Sequence, residues 1–247
     1  MATSIEKCPQ LQKLDISDST ISDSVATALA KGIAKCPQLR QLGLCSNRIS
    51  NSGATALAQG IENCPQLQEL YLANNHISDS GAIALAQGIE KCPQLQVLSF
   101  TNNQISDSGA IALAQGIEMC PQLQMLDLHN NQISDSGATA VAAAIPKCMY
   151  LTSLSLSDNE ISTRGLNEVR NSLQRGKALR SLRYFVIGGS HYSLERSASH
   201  IGTTTTEGHL PYKPSPVASF VQKKGDNALL HLVAEYLAAS RDGGSRR

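Results

Sequence analysis

Apolar residues recur along the chain with a period of 28 residues. In each unit, apolar residues stand at alternate positions, as Leu70 and Leu72 do, which predicts a short strand with one buried side. A further leucine, such as Leu67, precedes this pair by three residues. The period is also marked by a cysteine column at Cys8, Cys36, Cys64, Cys92, Cys120 and Cys148. A constant period of this length predicts an array of copies of one structural unit.

The second half of each unit has a different apolar spacing. In one unit Ala82, Leu85 and Ile89 follow one another at steps of three and four residues, which predicts a helix with one buried face. Ser78 and Asp79 stand where the N-cap of that helix is expected. Each unit is therefore predicted to be a strand followed by a helix. One such unit buries too little apolar surface to fold alone, so the units are expected to stack.

An asparagine follows the second alternating apolar residue by three positions. The column contains Asn47, Asn75, Asn103, Asn131 and Asn159, with Ser19 in the first unit. We expect its side chain to bond the backbone where the chain leaves the strand, because buried peptide groups need partners. The consensus Leu-x-x-Leu-x-Leu-x-x-Asn is the leucine-rich-repeat signature. The predicted class is α/β, as a right-handed β-α leucine-rich-repeat solenoid with 28-residue repeats.

These columns resemble the ribonuclease-inhibitor-like class of leucine-rich repeats. The helix start Ile-Ser-Asp-Ser-Gly-Ala-x-Ala-Leu-Ala looks most like repeats of NOD-like (NACHT–LRR) receptors, and it is also similar to those of Ran GTPase-activating protein. The resemblance covers residues 5 to 187. It implies a horseshoe with parallel strands on the concave face and helices on the convex face.

The array is predicted to span residues 1–187. A last strand over 179–186 keeps Leu182 in a leucine column but places Ile187 where asparagine is expected, so the array is predicted to end there. Glycine, threonine and proline dominate 188–225, which predicts a disordered linker.

Two further segments follow the linker. Residues 226–240 are predicted as an amphipathic helix, and 241–247 as a disordered tail. At the other end, residues 5–8 align with 89–92 and so lie in the last turn of a repeat helix. Terminal repeats normally carry a polar cap, and none precedes this turn. We therefore expect either that the chain is a piece of a longer protein or a truncated gene model, or that its first strand is an exposed edge.

The net charge and the cysteines restrict the class of partner and the cellular compartment that we expect for this chain. The net charge is +1, so neither nucleic acid nor an anionic membrane is expected as the main partner. No apolar run reaches the length that spans a bilayer, and Met1 is not followed by a signal-peptide pattern. The cysteine column predicts buried thiols in a reducing compartment, the cytoplasm. Cys45 falls at an outward strand position, which leaves a reactive thiol open as an alternative.

The predicted concave face carries the candidate binding site. Framework positions barely change between repeats, whereas outward strand positions do. Large apolar and aromatic residues surrounded by polar groups are typical of interface centres. The candidate partner-binding residues are Glu69, Tyr71, Val97, Ser99, Thr101, Met125, Asp127 and His129.

The leading hypothesis is an intracellular module that binds a protein partner on its concave face, as in the sensing or autoinhibitory regions of NOD-like receptors or in repeat adaptors. No nucleotide-binding loop, nucleophile elbow or zinc-protease motif occurs, so no catalytic residue, cofactor or metal is predicted. One alternative is a GTPase activator of the Ran type, with a small GTPase as partner. Another is a structural array, or a gene fragment, without a dedicated ligand.

Overall fold

Strands and helices alternate along the chain in this computed structural model, which describes residues 5–175, 184–187 and 190–193. The strands are β1 (Lys13–Asp15), β2 (Gln41–Gly43), β3 (Glu69–Tyr71), β4 (Val97–Ser99), β5 (Met125–Asp127), β6 (Ser153–Leu156), β7 (Tyr184–Ile187) and β8 (Ser190–Ser193). The helices are α1 (Asp23–Ile33), α2 (Asn51–Ile61), α3 (Asp79–Ile89), α4 (Asp107–Ile117), α5 (Asp135–Ala144), which a 3-10 turn (Ile145–Lys147) follows, and α6 (Thr163–Arg175).

Each strand from β1 to β6 pairs in parallel with its sequence neighbours. The register follows the repeat, since Leu14, Leu42 and Leu70 are direct partners in the first three strands. Because every strand pairs with the one in the next unit, the helix of each unit crosses over on the same side of the sheet. The predicted solenoid of parallel strands and helices is confirmed.

The core lies between the sheet and the helices. Leu70 and Leu72 from one unit and Leu85 and Ile89 from the following helix are at most 1% exposed. The helices approach one another closely because alanine and glycine line their contacts. At Gly88, a Cβ atom would lie 2.8 Å from the carbonyl oxygen of Ala58 on the preceding helix. Only glycine therefore fits at this contact without a shift of the backbone.

The asparagine column satisfies the backbone between units. The amide nitrogen of Asn103 donates to the carbonyl oxygens of Phe100 in its own unit and Leu72 in the preceding one, both at 3.0 Å. Its amide oxygen accepts from the N–H of Ile77, also in the preceding unit, at 3.0 Å. The same pattern recurs at Asn47, Asn75, Asn131 and Asn159. The predicted backbone ladder is confirmed, and each rung joins two units.

The helix caps differ from the sequence-based expectation. Ser106 stands at the N-cap of α4, as the pattern predicts, but its side chain makes no bond to its own helix. Instead, Asp79 of the preceding unit accepts from the backbone N–H groups of Ser106 (2.8 Å) and Gly109 (3.0 Å) and from the Ser106 hydroxyl (2.6 Å). The first helical residue of one unit thus caps the next helix. Stacking of the units brings this carboxylate within hydrogen-bonding distance of the helix start.

The last unit departs from the 28-residue period. Phe185 pairs with Leu154 and Ile187 with Leu156, an offset three residues longer than the repeat. A strand is present at 184–187, within and just beyond the predicted range 179–186, whose residues 179–183 lie outside the described residues. The predicted register is wrong, because Phe185 instead of Leu182 lies opposite Leu154, and Ile187 lies opposite Leu156 instead of in the asparagine position. Helix α6, which precedes this strand, has 13 residues, whereas α4 has 11.

Strand β8 pairs antiparallel with β7 and lies within the segment 188–225, for which the sequence predicted a linker. The sequence Gly188-Gly189, which lies between these two strands, favours two-residue hairpin turns. The hairpin could therefore have been predicted from the amino-acid sequence. The predicted helix at 226–240 and tail at 241–247 lie outside the described residues. Among the described residues, no helix is both long and apolar enough to cross a membrane.

Five members of the cysteine column are buried: Cys36, Cys64, Cys92, Cys120 and Cys148. Each thiol lies against backbone carbonyls, as Cys64 does at 3.5 Å from the Ile33 oxygen. Burial raises the pKa of Cys64, Cys92, Cys120 and Cys148 to about 12. These five cysteines therefore fill space in the core, as the sequence predicted, whereas Cys8 at the start of the array is only partly buried.

The structure contradicts the alternative that Cys45 is a reactive thiol. Its strand position points outward, but neighbouring side chains leave it only 5% exposed. Burial raises the pKa of Cys45 to about 11. Reactive thiols need thiolate character and access, and this thiol lacks both.

We expect the six buried thiols to resist alkylation in the native protein at pH 8 and to react fully in denaturant. Their raised pKa values leave almost no thiolate at this pH. Mass spectrometry of peptides after brief iodoacetamide treatment, with and without urea, measures each site separately. Native labelling of Cys45 at the rate seen in urea would contradict its assigned burial.

One residue in the column that caps the following helices is uncharged, which allows the electrostatic part of the capping to be tested. The column contains Asp23, Asn51, Asp79, Asp107 and Asp135. Asn51 occupies the aspartate position and accepts from Ser78 N–H (2.9 Å) and Gly81 N–H (3.0 Å). Replacement Asn51→Asp is expected to raise the free energy of unfolding at pH 7 by about 0.5–1 kcal/mol, because a carboxylate at a helix N-terminus is favoured over an amide. The matched control Asp107→Asn should lower it by a similar amount.

The gain from Asn51→Asp should disappear in acid. Burial raises the pKa of Asp107, but hydrogen bonds from Ser134 and Ser136 outweigh it, so the pKa lies below the usual value. A carboxyl with a lowered pKa stabilises the folded state above its unfolded pKa, and this stabilisation is lost as the pH falls through the folded pKa. Urea unfolding from pH 7 to pH 2.5 measures the difference between variant and parent. A difference that does not change with pH would contradict the charge-based explanation.

Candidate functional site

The candidate site lies on the open sheet face, the side of β1–β6 that points away from the helices. Alternation along each strand places Leu126 in the core, with Met125 and Asp127 on the open face. The parallel register then aligns outward residues of neighbouring strands. Glu69 pairs with Val97, and Val97 with Met125, in one row. A second row contains Tyr71, Ser99 and Asp127.

Two partly exposed apolar side chains lie beside each other in the first row. Val97 and Met125 are paired residues on β4 and β5, and both are only half-buried. Cα atoms of neighbouring strands are about 4.8 Å apart, so the two side chains form one apolar surface. These two residues are brought together as the sequence predicted.

On β3, a hydrogen-bonded pair of polar side chains, Tyr71 and Glu69, borders the apolar surface of Val97 and Met125. The hydroxyl of Tyr71 donates to Oε2 of Glu69 at 3.0 Å. Burial, followed by the negative charge of Glu69, raises the pKa of Tyr71 above its usual value. The phenol therefore stays protonated and keeps Glu69 in a fixed position beside Val97.

Asp127 provides a carboxyl in a desolvated setting on β5. Its Oδ1 accepts from the backbone N–H of His129 at 3.1 Å. Burial raises the pKa of Asp127, while hydrogen bonds from His129, Thr101 and Ser155 oppose this rise without cancelling it. The donors that surround this carboxyl are thus hydroxyls and a peptide N–H.

His129 connects the strand to the following loop. Its Nδ1 lies 2.9 Å from Oγ of Ser157 and 3.3 Å from Oδ2 of Asp158. The imidazole remains about one-third exposed, with 34% of the side chain accessible. Ser157 and Asp158 were absent from the sequence-based set, because their approach to His129 depends on how the loops of two units stack.

One candidate must be removed from the contact set. Ser99 is 0% exposed, so its side chain offers no surface to a partner. Its hydroxyl lies 3.4 Å from that of Thr101, which is itself partly exposed. A small residue between larger outward neighbours is covered by them, and the alternation of strand positions alone cannot show this.

A second feature that the sequence analysis missed lies where the chain leaves the strands. Asn74, Asn102 and Asn130 have positive φ angles of 51–54°, a conformation that asparagine tolerates better than most residues. The Asn130 amide nitrogen donates to the Asn102 amide oxygen, and Asn102 donates likewise to Asn74, both at 2.5 Å. This amide row borders the open sheet face.

Within the described part of the chain, no group of histidine, cysteine and acidic residues is arranged to hold a metal ion. The residues that meet on the open face are an apolar pair, a bonded tyrosine and glutamate, and a desolvated carboxyl. Such an arrangement is suited to non-covalent recognition.

Two family models agree with this architecture. A model of two leucine-rich repeats matches residues 65–113 and 93–139, and a single-repeat model matches residues 147–168. A search of curated proteins finds no match. Among solved structures, the chain is similar to one titled Leiomodin-1 Actin-Binding Site 2, at 15% identity and a TM-score of 0.47, covering 71% of this chain and 86% of that one. The matched segments are leucine-rich repeats, and the alternating strands and helices form a β-α leucine-rich-repeat solenoid.

Proposed function

We propose that this chain is a protein-interaction module that binds a protein partner through the open sheet face at β3–β5. The observation that carries the proposal is the half-buried pair Val97 and Met125, which stand side by side between polar groups. Interface centres commonly combine a small apolar surface with a polar surround. Leucine-rich repeats generally serve as binding modules, and this fold-level analogy supports the same class of function.

The framework beneath the site favours binding with little loss of entropy. The strands are short, but their backbones are bonded on both sides, and the side chains beneath them, such as Leu98 and Leu126, are at most 1% exposed. A surface that is already ordered loses less conformational freedom when a partner binds.

The type of leucine-rich-repeat protein that we propose is inferred from the helix-start sequence Ile-Ser-Asp-Ser-Gly-Ala. It favours a sensing or autoinhibitory array of the NOD-like receptor type, or a repeat adaptor, in the cytoplasm. In either role the chain recognises a partner and performs no chemical step. The partner-contact set is Glu69, Tyr71, Val97, Thr101, Met125, Asp127 and His129, without the buried Ser99.

A double variant, Val97→Ser with Met125→Ser, is expected to lose its partner while the fold persists. Removing half-buried apolar anchors from an interface centre weakens binding by about 2 kcal/mol or more, which is at least about 30-fold. Immobilised wild-type and variant chains are incubated with cytosolic extract, and the bound proteins are quantified by mass spectrometry. Cross-linking then locates the contacts of any protein that only the variant loses.

The chain offers a matched control on its helices. Ile83 and Ile111 are exposed to 39% and 38%, on adjacent helices, so Ile83→Ser with Ile111→Ser removes comparable apolar surface far from the sheet. This control should retain the partner. Loss with the helix variant and retention with the sheet variant would place binding on the helices instead. No partner with either well-folded protein would favour a structural array, and a small GTPase in the eluate would call for a GTP-hydrolysis assay.

A further inference from the structure

The open sheet face carries more acidic than basic groups. We consider four positions in each of the six units: 13, 15, 17 and 18 in the first unit and their equivalents at steps of 28 residues. The basic residues at these positions are Lys13 and His129. The acidic residues at these positions are Asp15, Asp18, Glu69, Asp127 and Asp158. The whole chain is nearly neutral, at +1, so the negative charge is a property of this face.

Most of these carboxylates have partners that account for their position. Asp15 accepts from the N–H and hydroxyl of Ser17, at 3.1 and 2.7 Å. Glu69 accepts from Tyr71, and Asp158 lies beside His129.

Asp127 differs in its surroundings. Its carboxyl is desolvated, and the charge of the nearby His129 offsets this only in part. His129 itself pairs with Asp158, and among the described residues no lysine or arginine pairs with Asp127. Hydroxyl and peptide donors occupy part of its hydrogen-bonding capacity, but an ionised carboxylate has about four lone-pair sites. Part of the residue remains exposed. A desolvated carboxylate without a lysine or arginine partner is costly, and a cation supplied from outside would lower that cost.

The apolar pair lies within reach of the same carboxyl. Met125 and Asp127 are two residues apart on one side of β5, a separation of about 6.5 Å along the strand. A side chain with a long aliphatic part and a charged end can cover Met125 and still reach Asp127. Arginine fits better than lysine, because its planar guanidinium matches the geometry of a carboxylate and is more weakly hydrated.

We propose that the partner of the open sheet face presents an arginine side chain, whose aliphatic part packs on Val97 and Met125 and whose guanidinium pairs with Asp127. The inference rests on the proposed function, since it names the group that the same site recognises. Charge complementarity of this kind sets the choice of partner and the register of binding.

A peptide selection tests the inference while the partner itself is still unidentified. A phage library of random 12-residue linear peptides is selected against the full chain, and clones that also bind the Val97→Ser, Met125→Ser variant are removed by counter-selection. The selected sequences are expected to share an arginine. One peptide is then synthesised twice, with that arginine and with citrulline, its neutral isostere.

The decisive measurement is a double-mutant cycle between peptide and protein, by calorimetry. Citrulline should weaken binding to the wild-type chain about 10-fold or more, and Asp127→Asn should weaken the arginine peptide similarly. Against Asp127→Asn, the exchange of arginine for citrulline should have little effect. Asp15→Asn, which removes another carboxylate of the same face, is the matched control and should leave binding unchanged. The citrulline peptide leaves the protein intact, so the result does not depend on the folding of the variant.

The outcomes separate the two proposals. Selected peptides that need Val97 and Met125 but contain no basic residue, or that bind equally well with citrulline, would overturn the arginine inference and leave the proposed function standing. A citrulline effect that persists unchanged in Asp127→Asn would place the arginine elsewhere and overturn the pairing. If no peptide depends on Val97 and Met125, the proposed function fails and the inference fails with it.

Discussion

Polar groups of one unit are satisfied by the next, and the rest of the structure depends on this exchange. A strand of three residues cannot pair its backbone alone, and the turn after it buries further peptide groups. Asn103 meets this need with one side chain that bonds its own unit and the preceding one. The bonds form only at an offset of one repeat, so the 28-residue period is a requirement of the backbone as well as of the core.

The helix caps obey the same requirement from the other side of the solenoid. Asp79 accepts from the helix start of the following unit, where a single helix would use its own N-cap side chain. The charge of the carboxylate is also favourable there, since it faces the positive end of the helix dipole. Asparagine on the sheet side and aspartate on the helix side thus bind each unit to its neighbour at two places.

Because the asparagines, the aspartates and the core residues hold the units together, outward strand positions such as Val97 and Met125 are not needed for stacking. Leu98 and Leu126 are set by the core, whereas the neighbouring Val97 and Met125 contribute only part of their surface to it. Such positions can change without loss of the fold, and they are where recognition is expected to reside.

The repeat, the order of strand and helix, the core columns and the asparagine ladder were all predictable from the amino-acid sequence, because each depends on a periodic pattern of residue types. The same period placed Val97 beside Met125, since parallel register follows from it. Three-dimensional packing was needed to show that Ser99 and Cys45 are covered, that Asp79 caps the helix of another unit, and that Ser157 and Asp158 approach His129. These features depend on the sizes and directions of side chains from different units, which periodicity does not encode. The register of the last strand belongs with them, because its offset from β6 is three residues longer than the period from which it was predicted.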